Sequence, residues 1–235
     1  MKNLCTICMR GGSKGLSNKN LRVLLGKPLM AYTIEQAQES KLFEHIVVST
    51  DSNEIAEMAI SFGAKAWFLR PSELSKDEAP KIPVIRHAFL ESERYFDCKF
   101  DVVVDLDVTS PLRRVEDITN AFNQFIEENA YILITGSSAR KNPYFNMVEF
   151  FEGQVQLVKK LDEPVVRRQD APQVYDMNAS IYIWKRNVLL HDDSLFTKKT
   201  SLYTMPEECS VDIDTDLDWQ FVEFLMGNNF EQINT

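Results

Sequence analysis

No apolar run in this 235-residue chain reaches the roughly 18 residues that span a bilayer, and its start has no signal-peptide core. Those two absences exclude a helical membrane protein and predict a soluble, cytoplasmic one. Cysteine is scarce: Cys5, Cys8, Cys98 and Cys209 are too few to staple a chain of this size. Cys5 and Cys8 have the C-x-x-C spacing, but they sit three apart inside the first apolar run, on opposite faces of a strand. No second pair completes a zinc site, so both are read as packing residues. Net charge is −9 and no long basic face is visible, which excludes a duplex nucleic-acid partner. Hydrophobic residues at 44% and aromatics at 11% supply a buried core, so disorder is excluded as well.

Two further absences are local. Residues 1–34 hold six bases (Lys2, Arg10, Lys14, Lys19, Arg22, Lys27) and no acid. Residues 204–223 hold seven acids, among them Asp212, Asp214, Asp216 and Asp218, and no base. The first segment suits an anion and the second a divalent cation; a magnesium-bound triphosphate contains both.

What is present gives the fold. The apolar run Leu4–Met9 stops at Arg10 and enters a loop with Gly11, Gly12, Ser13, Lys14, Gly15 and Lys19. Such a strand-to-loop junction brings backbone amides close to phosphate oxygens. It is not a P-loop, because Lys14 precedes the last glycine, and not a dinucleotide fingerprint, because the first spacer is missing. Pro28 then opens a helix to Ser40 at its first position. His45–Thr50 reads as a strand, Asn53–Phe62 as a helix capped by Asp51 or Ser52, and Ala66–Leu69 as a third strand. Lys81–Tyr95 is helical, Asp101–Leu106 a strand, Val115–Glu128 a helix and Tyr131–Thr135 a strand. Apolar strands alternating with helices predict a doubly wound α/β fold with a mostly parallel sheet, whose ligands lie beyond the carboxyl ends of the strands.

The rhythm then changes. Met147–Phe151 and Gln154–Val158 flank Glu152-Gly153 as a hairpin, a charged passage follows, and Ser180–Trp184 returns as a strand. The expected layout is a nucleotide-binding α/β domain, 1–136 and 187–235, with a small inserted dimerisation arm, 137–186. In Val211–Asp214, period two puts the carboxylates of Asp212 and Asp214 on one face, roughly 7 Å apart at the backbone. A helix over Thr215–Met226 follows, with Leu217, Phe221, Phe224 and Leu225 on one side. Asp214 or Asp216 as a helix cap is the plainer reading, but capping does not account for Asp212. His45, His87 and His191 lie outside every motif.

Several stretches, in this order, resemble the acylneuraminate cytidylyltransferases, the CMP-sialic acid synthetases: R-x-x-S-K-G-x-x-x-K-N over 10–20, Ser49-Thr50-Asp51, Arg70-Pro71, Thr109–Arg113, Asn178–Tyr182 and Asp212–Thr215. The resemblance covers nearly the whole chain. It implies a Rossmann-like nucleotidyltransferase fold, a homodimer formed through the arm, and a reaction joining CTP to a nine-carbon 2-keto sugar acid with Mg²⁺ (Mn²⁺ as a substitute). It places Arg10, Gly12, Ser13, Lys14, Lys19 and Asn20 on the triphosphate and nucleotide, and Asp51 and Arg70 on the cytidine side. Asp212 and Asp214 fall on metal-ligand positions; Arg10, Lys14 and Lys19 would neutralise charge in the reaction. Asp107, Thr109, Ser110, Tyr182 and Arg168 fall on the sugar acid, with Arg168 coming from the arm.

Departures narrow the substrate. A glutamine common in sialic acid enzymes is Asp107 here, which when ionised only accepts hydrogen bonds. A lysine common in the arm is Phe145 or Asn146. With Asn142–Asn146, these features look more like the branch acting on bacterial 5,7-diamino sugars, particularly legionaminic acid. Asp107 toward a metal ion is the alternative role. N-acetylneuraminate, pseudaminate and the eight-carbon 3-deoxy sugar acid are the alternative substrates, and a non-catalytic nucleotide-binding module is the alternative class.

Overall fold

The computed structural model describes residues 1–12 and 15–228. In chain order its elements are β1 (Asn3–Cys8), β2 (Val23–Leu24), β3 (Lys27–Pro28), α1 (Leu29–Ser40), β4 (His45–Ser49), α2 (Asn53–Ser61), α3 (Lys81–Tyr95), β5 (Val102–Leu106), α4 (Val115–Glu127) and β6 (Ile132–Ser138). There follow β7 (Val148–Phe151), β8 (Gln154–Leu157), β9 (Tyr175–Lys185), α5 (Arg186–His191), β10 (Thr200–Thr204) and α6 (Asp216–Gly227).

The main sheet runs β10-β6-β9-β5-β1-β4. β1 pairs in parallel with β4 and β5, and β10 with β6, while β9 runs antiparallel between β5 and β6. Alternation sends one set of side chains to each face. Ile7, Val48, Val104 and Ile183 pack with α1, α2, α4 and α6, whereas Leu4, Val47, Val103 and Trp184 pack with α3 and α5. The doubly wound, mostly parallel sheet expected from the strand pattern is present.

Four expectations are corrected. Ala66–Leu69 is not a strand; the chain touches β4 only through the isolated bridges Val47↔Lys65 and Thr50↔Leu69. Trp67 instead stacks on Tyr95 at 4.2 Å, which holds the run away from regular pairing. Pro28 closes the β2–β3 ribbon and precedes α1 rather than opening it. The arm is shorter than 137–186, because β9 fills 175–185 and is an inner strand of the main sheet; what leaves the sheet is 139–174. Its hairpin turns at Glu152 (φ 51°) and Gly153 (φ 78°), the left-handed pair that a two-residue hairpin loop uses.

The fourth correction concerns the acid-rich end. Val211–Asp214 has no strand partner; its one sheet-like bond is Ile213 N–H to the Thr109 carbonyl at 2.9 Å, with Ile213 buried. Asp212 is therefore half-buried and Asp214 exposed, rather than an equivalent pair on one strand face. Helix α6 buries Trp219, Val222 and Leu225 and leaves Leu217, Phe221 and Phe224 in the open. Thr215, not Asp214 or Asp216, caps it: the Thr215 hydroxyl accepts from Asp218 N–H at 3.3 Å, and Thr215 N–H donates to the Asp218 carboxylate at 2.7 Å.

Candidate active site

The loops that leave β1, β4 and β5 open at one end of the sheet. Arg70 ties two of these strand ends together: its buried guanidinium donates to the Ser49 hydroxyl at 3.1 Å, the Met9 carbonyl at 2.9 Å and the Ser49 carbonyl. Between the loops lies a cleft of about 520 Å³, lined by Arg10, Gly15, Lys19, Asn20, Arg70, Lys81, Asp107, Thr109 and Asp214 among others.

The basic loop is fastened from several sides. Gly11 N–H donates to Asp51 at 2.8 Å, the Asn20 amide donates to the Arg10 carbonyl at 2.9 Å, and Arg10 pairs with Asp77 across the cleft mouth. Lys19, nearly buried, donates to the Ile213 carbonyl at 2.5 Å and lies 3.3 Å from the Asp214 carboxylate. Gly15 meets the same acidic segment so closely that a Cβ there would stand 2.4 Å from the Asp214 carbonyl oxygen. Only glycine permits that approach. The basic start and the acidic end therefore share one cleft.

On the opposite wall Asp107 is held by three donors. Thr109 donates to its Oδ1 from both the backbone (3.0 Å) and the hydroxyl (2.9 Å), and Lys81 Nζ reaches its Oδ2 at 2.9 Å. Burial opposes its charge, but Lys81 and the Thr109 bonds hold the carboxyl well below the usual range. Lys81 also lies 3.4 Å from Asp105, whose carboxyl is pushed up by burial, and 4.6 Å above the Tyr182 ring. Asp212 accepts from the Ser110 hydroxyl. Burial, with the Asp107 and Asp214 charges nearby and against the Ser110 bond, pushes its carboxyl up to about 6.

Behind this wall Arg113, also buried, donates to the carbonyls of Asp107 (3.1 Å) and Ser180 (2.8 Å), to Thr33 (3.1 Å) and to Gln36 (3.0 Å). Asn178 and Ala179 form the irregular point of β9. Asn178 Oδ1 accepts from Thr135 (2.7 Å) and Ser180 N–H (3.2 Å), while Ala179 is held at φ 52° with its carbonyl toward Lys81. A non-glycine residue in that region costs roughly 1–2 kcal/mol, so the surrounding bonds fix it there.

A second pocket of about 580 Å³ adjoins the cleft, lined by Pro80, Ile82, Tyr182, Trp184, Leu195 and Phe196, with Lys81 common to both.

The structure thus gathers Arg10, Lys19, Asn20, Arg70, Asp107, Thr109 and Asp214 along the cleft. Ser110 and Asp212, bonded to each other, are not among its lining residues. Gly12 and Asp51 line an outer hollow beside Arg10, and Tyr182 lines the second pocket. Arg168 is elsewhere: it donates to the Ala139 carbonyl at 3.2 Å and lines a groove of the arm. Ser13 and Lys14 lie outside the described residues. Motif reading missed Lys81 and Phe196. Lys81 did carry a signal, since a lysine at the first position of a helix stands against the helix dipole and needs local acids to hold it.

A family profile described as "Cytidylyltransferase" matches residues 4–234. The chain belongs to that family. It is an enzyme of the nucleotidyltransferase type. The cytidylyltransferase is 50% identical over 224 residues to the CMP-N,N'-diacetyllegionaminic acid synthase of Campylobacter jejuni, covering 95% of this chain and 94% of that one. It is 51% identical over 223 residues to the post-translational flagellin modification protein B of Campylobacter coli, with the same coverage. Among solved structures it resembles a CMP:2-keto-3-deoxy-manno-octonic acid synthetase complexed with CTP, at TM-score 0.69 and 17% identity over 97% of this chain and 99% of that one. At that identity the likeness shows the fold alone.

Proposed function

We propose that this cytidylyltransferase joins CTP to a nine-carbon 2-keto sugar acid, N,N'-diacetyllegionaminic acid or a close derivative, giving the CMP-sugar and pyrophosphate. The observation that carries the reading is the two-compartment site, a cationic cleft at the strand ends opening through Lys81 onto an apolar pocket. The cleft suits a triphosphate and the pocket suits an acylated deoxy sugar with few hydroxyls. The name borne by the relative at 50% identity supports the choice of sugar.

The anomeric hydroxyl attacks the α-phosphorus in line and pyrophosphate departs. Catalysis of this kind rests on positioning and on neutralising charge. Arg10 and Lys19 hold the phosphates, joined by Ser13 and Lys14 on the resemblance; Gly12 and Asn20 shape the loop around the nucleotide. To take Arg10, the triphosphate must draw it away from Asp77. Asp51 and Arg70 border the cytidine side. No histidine approaches the cleft among its described lining residues.

A divalent ion fits the acidic side by its chemistry. Asp212 and Asp214 offer hard oxygen donors, and the crowding of Asp107 and Asp214 on Asp212 is what a cation relieves. Among the described residues no group of three or more His, Cys, Asp or Glu closes on one point, so a metal would complete its shell with phosphate oxygens and water. Mg²⁺, or Mn²⁺ in its place, would supply stabilisation of the charge that grows on the reacting phosphate.

The arm exposes Val148, Phe150 and Val155 on one face of its hairpin, with Phe151 and Val166 also uncovered, and we assign the hairpin face to a second copy of the chain. In that homodimer Arg168 would serve the neighbour's sugar carboxylate, since it is directed away from the cleft of its own chain. We place the enzyme in the cytoplasm, where CTP is available; among the described residues no helix is long and apolar enough to cross a membrane.

Pyrophosphate release from CTP and Mg²⁺ with a panel of diacetyllegionaminate, pseudaminate, N-acetylneuraminate and the eight-carbon 3-deoxy acid tests the proposal. The highest kcat/KM is expected with diacetyllegionaminate. Preference for another member would overturn the sugar assignment, and no turnover with any of them would overturn the reaction.

A further inference from the structure

Lys81 belongs to no motif, yet it is the one cation among the described residues lining the second pocket and also lines the nucleotide cleft. Its ammonium has three donors; it donates to Asp107 Oδ2 at 2.9 Å and to the Ala179 carbonyl at 3.5 Å, and it faces Asp105 Oδ2 at 3.4 Å as a charge pair without a hydrogen bond. Lys81 is thus held mainly by the protein, and its shortest bond is the one to Asp107.

Asp107 is one acceptor short of saturation. A carboxylate offers about four lone-pair directions. Thr109 fills the two on Oδ1 and Lys81 fills one on Oδ2, which leaves a single direction on Oδ2 of a residue that lines the cleft. A carboxyl held so far below its ordinary range is a poor base, so it can orient a hydroxyl without removing its proton.

The rest of the wall fixes this arrangement. Asp107 N–H donates to the Ser180 carbonyl at 3.1 Å and Arg113 holds the Asp107 carbonyl at 3.1 Å, so the backbone cannot drift. Asp105 is locked by the Thr6 hydroxyl at 2.8 Å, and the Tyr182 ring lies against the Lys81 head. The Asp107 carboxylate is then gripped at both oxygens, by Thr109 on Oδ1 and by Lys81 on Oδ2.

The geometry points to Lys81 as a positioning residue that aims the remaining acceptor of Asp107 at the attacking hydroxyl of the sugar acid, at the junction of the two compartments. This rests on the sugar-acid reading given above. The wild-type panel assay tests that reading separately, because wild-type turnover does not depend on how Lys81 acts.

The test is a double-mutant cycle of K81M, D107N and K81M/D107N, with K81R beside it, measured with CTP and the preferred sugar acid. Binding of CTP alone is followed by calorimetry. K81M is expected to lower kcat about 100-fold, the scale on which misplacing a reacting group acts. CTP affinity should stay within about twofold, and K81R should recover part of the loss. The double variant should be no slower than D107N, since Lys81 has nothing to aim once the carboxylate is gone. Because K81M alone leaves two buried carboxylates facing each other, the double variant, which removes one charge of each sign, is the arm that survives a folding defect. Multiplying losses, a raised sugar KM at unchanged kcat, or weakened CTP binding would each overturn the proposal.

Discussion

The cleft and the arm obey opposite rules. In the cleft nearly every charged group is held by the chain itself: Arg70 by three acceptors, Lys81 by two acceptors and the Asp105 charge, Asp107 by three donors. In the arm the apolar groups are uncovered, with Phe150 at 83% and Val166 at 81% exposure, and Arg168 serves only a local carbonyl. One region is held within a single chain; the other leaves its apolar groups uncovered. The electrostatic half of the site is therefore preorganised before any substrate arrives, while the proposed contribution of the arm to the sugar pocket rests on the proposed dimer.

Four experiments press on that contrast, from the largest expected effect to the smallest. Asp212→Ala removes a donor from the acidic side and is expected to lower kcat by about 100- to 1,000-fold, the range seen when one charge-stabilising group is lost. Unchanged turnover in a pyrophosphate-release assay would detach Asp212 from the chemistry. Phe150→Asp should convert the dimer to monomer by light scattering. If the arm completes the sugar pocket, it should also raise the sugar KM about tenfold and leave CTP binding alone. A monomeric variant with wild-type kinetics would make the cleft self-sufficient and erase the contrast.

Gly15→Ala probes the cleft side. Its methyl would collide with the Asp214 carbonyl oxygen, at a cost of about 1–3 kcal/mol. A Tm lowered by several degrees and a raised CTP KM are expected in thermal melts and kinetics. The smallest effect is the pH dependence of the metal-free protein. The Asp212 carboxyl titrates near 6 when folded against an ordinary 3.8, so the folded chain takes the proton first. Its contribution to stability is complete below 3.8 and is lost as pH rises through about 6. Urea melts of Asp212→Asn against wild type across pH 4–7 should show that difference; parallel curves would mean that Asp212 titrates normally.

The fold was legible because continuous apolar strands and intervening amphipathic helices follow local rules. Lys19, Arg70 and Asp107 were legible as polar residues past the expected strand ends, and Asp214 from its spacing to Asp212. Three things were not readable. The antiparallel entry of β9 into the sheet depends on pairing with β5 and β6, which local pattern does not encode, so the arm was drawn too long. The buried side of α6 was misassigned because apolar residues occupy most of its surface, and the Thr215–Asp218 cap sets its rotation. Lys81 was overlooked because its role exists only where Asp105 and Asp107 point to the same face of β5 as the start of α3.

The contact between Lys19 and Asp214 spans 195 positions of sequence. A chain still emerging from the ribosome can build β1, β4 and β5 and present its basic loop, yet it has no acidic wall to set against that loop until the segment just before α6 appears. Both walls of the cleft are thus needed together, and a fragment that lacks either presents only half of it.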